Sequence, residues 1–157
     1  MSNSFQLVGL NHAPFQALFD LSDEHLRARF AQRCFADEHP GYPCRVSLED
    51  AQLGEELLLL PFMHQPTASP YRASGPIFVR RAAMRRTLPA GALSGYVTTR
   101  LMSVRAYDAA DKIVDASVCE GAALAPQIDA LFSCDNIAYL HLHNAKQGCF
   151  SCMVERA

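Results

Sequence analysis

The sequence predicts an α+β fold: a mainly antiparallel β-sheet with about two packed helices, forming one domain over residues 1–157. Three observations carry this. The 157 residues suffice for one substantial core and are few for two. Half of the residues are hydrophobic and 19% are charged, a globular rather than a disordered balance. Short apolar, β-branched runs follow one another with turn residues between them, which suits antiparallel pairing better than the long crossovers of a parallel sheet.

Each element has its own signal. "FQLVGL" (5–10) reads as the first strand. Ser22 reads as an N-cap, with Asp23 and Glu24 in the first turn and Leu26, Phe30 and Cys34 recurring at spacing four, so a helix is expected over 22–36. "HPGYP" (39–43) stops it with two prolines and a glycine. "CRVSL" (44–48) and "EELLLLPFM" (55–63) read as strands around the turn "EDAQLG". "HQPTASPYRASGP" (64–76), with three prolines and a glycine, reads as a long ordered loop.

"IFVRR" (77–81) is expected as a short strand and "TLPAGALSG" (87–95) as a loop. "YVTTRLMSVRAYDA" (96–109) is expected as a long strand or a bent pair, with "KIVDASVC" (112–119) as the next strand after a turn. "GAALAPQIDALFS" (121–133) reads as the second helix, with Pro126 tolerated in its first turn. The last two strands, "IAYLHLH" (137–143) and "CFSCMVER" (149–156), flank the turn "NAKQG".

Composition narrows function. A net charge of −2 argues against a nucleic-acid partner for the molecule as a whole. The first residues lack the basic start and apolar run of a signal peptide, and "LLLLPF" (57–62) falls far short of the roughly 20 residues that span a bilayer. A cytoplasmic protein with no membrane partner is expected. In that setting Cys34, Cys44, Cys119, Cys134, Cys149 and Cys152 are expected as free thiols, most of them buried.

Two places concentrate reactive chemistry. The first is "HLHNAKQGCF" (141–150). Strand parity puts Tyr139, His141 and His143 on one face and Leu140 and Leu142 on the other. The pairing that keeps the apolar sets together sets His143 opposite Cys149, His141 opposite Ser151 and Leu142 opposite Phe150. It also sends the two cysteines of the apparent C-x-x-C, Cys149 and Cys152, to opposite faces. A catalytic reading makes Cys149 the nucleophile, His141 or His143 its base and Asn144 the group that orients the imidazole. A metal reading uses His141, His143 and Cys149, with Cys44, His39 or His64 as a fourth ligand, and it is not the favoured one.

The second is an acid-free stretch between Glu56 and Asp108, where roughly five carboxylates would be expected at the overall frequency. It carries Arg72, Arg80, Arg81, Arg85, Arg86, Arg100 and Arg105. Arg80, Arg81, Arg85 and Arg86 read as a solvated edge paired with acids from elsewhere. Arg72, beside Tyr71 in the "SPYRASGP" loop, and Arg100 or Arg105 on the following strand are candidates to hold an anion through the planar guanidinium fork.

"CRVSLEDAQLGEELLLLPF", "SPYRASGPIFVR", "RLMSVRAYDA" and "HLHNAKQGCF" together resemble the bacterial family called domain of unknown function 1203, from about Cys44 to the end, with the strand and helix of residues 1–43 less distinctive. The resemblance implies a small soluble bacterial domain. It implies no activity, cofactor or site residue. The residues themselves favour a pocket for a small anionic ligand, with Tyr71, Arg72, Arg100 and Arg105 on the anion and His141, His143 and Cys149 on the wall. The alternative from another class is a non-enzymatic module whose arginine edge meets an acidic protein partner.

Overall fold

The computed structural model describes residues 4–157. In chain order its strands are β1 (Phe5–Val8), β2 (Gln32–Phe35), β3 (Pro43–Cys44), β4 (Glu49–Asp50), β5 (Glu56–Gln65), β6 (Ala73–Arg80), β7 (Leu101–Tyr107), β8 (Ile113–Glu120), β9 (Tyr139–Asn144) and β10 (Phe150–Arg156). The helices are α1 (Ala13–Gln16), α2 (Asp23–Arg27), α3 (Gly95–Thr98) and α4 (Leu124–Phe132). The α+β class holds, with two five-stranded sheets where one was expected. The first runs β1-β10-β9-β7-β8 and the second β2-β5-β6-β3-β4. All pairings are antiparallel except β3 with β6.

Each sheet buries one face under helices. In the first, Met102, Val104, Leu140, Leu142, Cys152 and Val154 pack against Leu124, Ile128, Leu131 and Phe132 of α4. Pro126 sits in the first turn of α4, where its missing N–H costs no helical hydrogen bond. In the second, Leu58, Leu60, Ile77 and Val79 pack against Phe15, Phe19 and Leu26 from the N-terminal helical segments. Each fully buried side chain of this kind contributes about 1.5–3 kcal/mol. Among the described residues no helix is long and apolar enough to cross a membrane.

Several expected boundaries move. The helix over 22–36 is five residues long, and the chain then turns into β2. Ser22 caps it as expected, its Oγ accepting from the His25 N–H at 3.2 Å. Phe30 then adopts φ +59, and the Ala31 N–H reaches back to the Leu26 carbonyl at 2.9 Å, a helix-terminating pattern. The spacing of Leu26, Phe30 and Cys34 misled because Phe30 is 86% exposed, while Leu26 and Cys34 pack against different clusters, Cys34 from β2. The loop expected over 64–76 shrinks to residues 66–72, because Pro76 pairs opposite Pro61 inside the β5–β6 ladder. The strand expected over 44–48 lasts only to Cys44, and α3 replaces the start of the strand expected over 96–109.

One close approach positions part of the site described below. A Cβ on Gly121 would lie 1.8 Å from the Val97 carbonyl oxygen, so only glycine lets this turn press against α3. The Gly121 N–H donates to the Arg100 carbonyl at 2.7 Å, which fixes the Thr99–Arg100 corner.

The early end of α2 makes a measurable difference. Phe30→Gly is expected to stabilise the protein by roughly 0.5–1 kcal/mol, because glycine relieves the left-handed backbone and little packing is lost. Inside a helix continuing to 36, the same change would destabilise by about 1 kcal/mol. Urea midpoints of the two proteins decide the sign.

Candidate functional site

The β9–β10 hairpin distributes the reactive residues, and its register differs from the expected one. Phe150 lies opposite His143, Cys152 opposite Leu142, Met153 opposite His141 and Val154 opposite Leu140, with the ladder shifted between Phe150 and Cys152. Gly148 takes φ +80 in the turn, the Gly148 N–H donates to the Asn144 carbonyl, and the Asn144 N–H donates to the Cys149 carbonyl at 2.9 Å. Cys149 therefore faces Asn144 rather than His143. Ser151 takes up the extra position, and Phe150 joins the histidine face instead of the leucines. Cys152 and Val154 remain with the leucines. The expected single wall of His141, His143 and Cys149 is thus divided into two environments.

Cys149 lines a cleft of about 340 Å³ with Glu38, Arg45, Thr99, Arg100, Asn144 and Gln147 among its walls. A second hollow of about 250 Å³ shares Thr99, Arg100, Asn144 and Gln147 and adds Glu120 and Lys146. Arg45 stands out. It is 2% exposed, and its guanidinium donates to the Phe150 carbonyl at 2.8 Å, the Pro43 carbonyl at 2.6 Å and the Cys149 sulfur at 3.1 Å. No carboxylate among the described residues pairs with it. The Asn144 amide approaches the same sulfur at 3.7 Å, and its Oδ1 is buried without a partner. Arg100 is balanced: Asp50 accepts from both of its terminal nitrogens, at 2.5 and 3.1 Å.

The histidines lie on the other side of the hairpin. His141 and His143 are 4% and 1% exposed, and His64 from β5 packs over them. His64 stacks on Phe150 at 5.2 Å between ring centroids and meets His143 edge-on at 5.1 Å. His143 Nδ1 is 3.0 Å from the Gly148 carbonyl, which can only accept, so Nδ1 carries the proton and Nε2 a free lone pair. Burial, followed by the charge that His143 would carry, pushes His141 down to about 3; burial likewise pushes His143 down to about 4. Both are neutral near pH 7. A relay of Gln65, Tyr139, Asp111 and Thr67 holds the β5–β6 loop on this face: Gln65 donates to the Tyr139 hydroxyl, which donates to Asp111 at 2.7 Å, and Thr67 donates to the other Asp111 oxygen.

The remaining predicted residues separate further. Arg72 donates to the Pro66 and Thr67 carbonyls of its own loop. Tyr71 is exposed and meets Tyr107 edge-on. Arg105 lies directly across from His141 in the β7–β9 ladder. Arg80 pairs with Glu49 and Glu55, and Arg81 with Asp20 and Glu56, acids contributed from elsewhere in the chain; Arg85 donates to the Gly9 carbonyl. No hydrogen bond joins either hairpin imidazole to Cys149, and Asn144 contacts the sulfur rather than a ring. Among the described residues no group of three or more His, Cys, Asp or Glu side chains is arranged to hold a metal ion. All six cysteines are free.

Sequence reasoning missed Arg45. The signal was present, a lone charge in the otherwise uncharged run "YPCRVSL", but it lies outside the arginine-rich stretch that drew attention.

A family model described as "Protein of unknown function (DUF1203)" matches residues 41–156, so the chain belongs to that family. Comparison with curated proteins and with solved structures gave no match.

The buried neutral histidines fix the direction of acid sensitivity. Unfolded, each imidazole takes up its proton near pH 6.5; folded, His143 does so only near pH 4 and His141 near pH 3. Between those limits the unfolded chain binds more protons, so stability is complete above about pH 6.5 and falls as pH drops. Each histidine contributes a slope of at most about 1.4 kcal/mol per pH unit. Urea midpoints should fall between pH 7 and pH 5, and less steeply in His141→Asn. A flat wild-type profile over that range would contradict the neutral buried placement.

Proposed function

We propose that this member of the family binds a small anionic molecule in the cleft of Arg45, Arg100, Asn144 and Cys149, with the Cys149 thiol against the ligand. The observation that carries the reading is the Arg45 guanidinium, buried with no carboxylate paired to it among the described residues and donating to a sulfur that lines the cleft. A cation withdrawn from water favours an anion nearby, and the guanidinium geometry suits a carboxylate or phosphate oxygen. Arg100, already paired with Asp50, contributes shape and hydrogen bonding more than net charge.

The reading stops at binding. The hydrogen bonds to the Cys149 sulfur come from Arg45 and Asn144, and neither group can take up the thiol proton. The arginine-edge alternative has less support, because Arg80 and Arg81 already face carboxylates of the same chain.

Charge-selective alkylation tests this reading. The rate with iodoacetate divided by the rate with iodoacetamide is measured separately for Cys149 and for exposed Cys134. A cationic cleft should raise the ratio at Cys149 by on the order of tenfold over that at Cys134, and Arg45→Gln should bring the two together. Equal ratios in the wild type would sink the proposal.

A further inference from the structure

The register of the first sheet lays out a second surface, on the face away from α4. One row across it reads Met153, His141, Arg105, Ala116, and the next reads Phe150, His143, Ser103, Val118. Directly opposite side chains on neighbouring antiparallel strands share a face and lie about 4.5–5.5 Å apart at Cβ. The left half of this grid is roofed, because His64 packs on Phe150, His143 and His141, while Tyr71 stands over Tyr107. The right half is open. Ala116 is exposed, and Val118 is 62% exposed on the edge strand β8.

Arg105 sits at the boundary between the two halves. It is half-buried, and its guanidinium makes no hydrogen bond and no ion pair among the described residues. Its charge acts on all three imidazoles, His64, His141 and His143. Asp111, whose charge also reaches His141, is engaged by Tyr139 and Thr67. His141, 96% buried, keeps a ring nitrogen, Nδ1, without a partner. A cation with no acidic partner among the described residues therefore stands between a buried imidazole, directly across the ladder, and an apolar exposed shelf.

We infer that this shelf is a second ligand site, separate from the cleft of Cys149, and that it takes an amphipathic monoanion: a carboxylate on a short apolar chain. The carboxylate pairs with Arg105 beside His141. The chain lies over Ala116 and Val118 and covers apolar surface that otherwise faces water. A small inorganic anion would satisfy Arg105 and leave the valine bare. A neutral apolar molecule would cover the valine and leave the guanidinium unpaired. Only a ligand with both parts uses everything on the shelf.

The test uses three probes on the full chain, followed by amide NMR titration: octanoate, octanamide with the same tail and no charge, and acetate with the same charge and no tail. Octanoate is expected to bind saturably, with the largest shifts at residues 103–105 and 116–118, and at least tenfold more tightly than either other probe. Arg105→Gln should weaken octanoate at least tenfold, to the level of octanamide, and Val118→Asp should also weaken it; both positions reach solvent, and unchanged dispersion elsewhere in the spectrum confirms the fold. Absence of saturable octanoate binding, or binding that Arg105→Gln leaves intact, overturns the inference. So does octanoate binding whose shifts fall on residues 45, 144 and 149 and that slows Cys149 alkylation, since that outcome assigns the anion to the cleft instead.

Discussion

Burying the Arg45 guanidinium removes a full charge from water and returns two carbonyl oxygens and a sulfur as partners. The desolvation of such a group costs several kcal/mol, and hydrogen bonds made by a charged donor contribute about 1.5–3 kcal/mol each. The arrangement is tolerable only because both carbonyls are presented by rigid backbone. One belongs to Pro43 in β3 of the second sheet, and the other to Phe150 at the start of β10 in the first. Arg45 therefore ties the sheets together at the point where the final hairpin needs fixing, and the position of Cys149 follows from that tie.

The same hairpin explains why the two candidate surfaces stay apart. The shift at Ser151 turns Phe150 toward the histidines, where it stacks under His64, while its carbonyl turns back to Arg45. Gly148 works in both directions as well: its carbonyl fixes the His143 ring and its N–H closes the turn that presents Cys149. A cation lies on each side of this one element, Arg45 toward the cleft and Arg105 toward the open sheet face. Neither has an acidic partner among the described residues. Each lies near a buried polar atom without a hydrogen-bond partner, Asn144 Oδ1 on the cleft side and His141 Nδ1 on the sheet side.

Much of this was legible in the sequence where a local rule decides the outcome. The α+β class, the strands at both ends, α4 with Pro126 in its first turn, and the Ser22 cap all follow from patterning and capping. Strand parity correctly grouped His141 with His143 and Cys152 with the leucines. What escaped depends on non-local packing. The end of α2 short of Phe30 goes with a left-handed residue that no propensity favours. Pro76 entered a strand because its place in the ladder accepts it opposite Pro61. The one-residue shift at Ser151 moved Cys149 away from the imidazoles, and no periodicity argument can see a bulge. Arg45 entered the candidate site through Phe150 and Cys149, partners more than a hundred positions away.

The central claim is that the Arg45 guanidinium is held for an anion and not merely as a strut between sheets. Its Nε proton, hydrogen-bonded to the Phe150 carbonyl and shielded from solvent, is suited to direct observation by nitrogen-15 NMR. That resonance should be followed while acetate, succinate and inorganic phosphate are titrated at constant ionic strength. The account predicts a saturable shift of the Arg45 Nε–H signal with at least one of these anions, accompanied by shifts at Asn144 and Cys149. An Arg45 signal unmoved by all three would contradict it and leave the residue a structural tie alone.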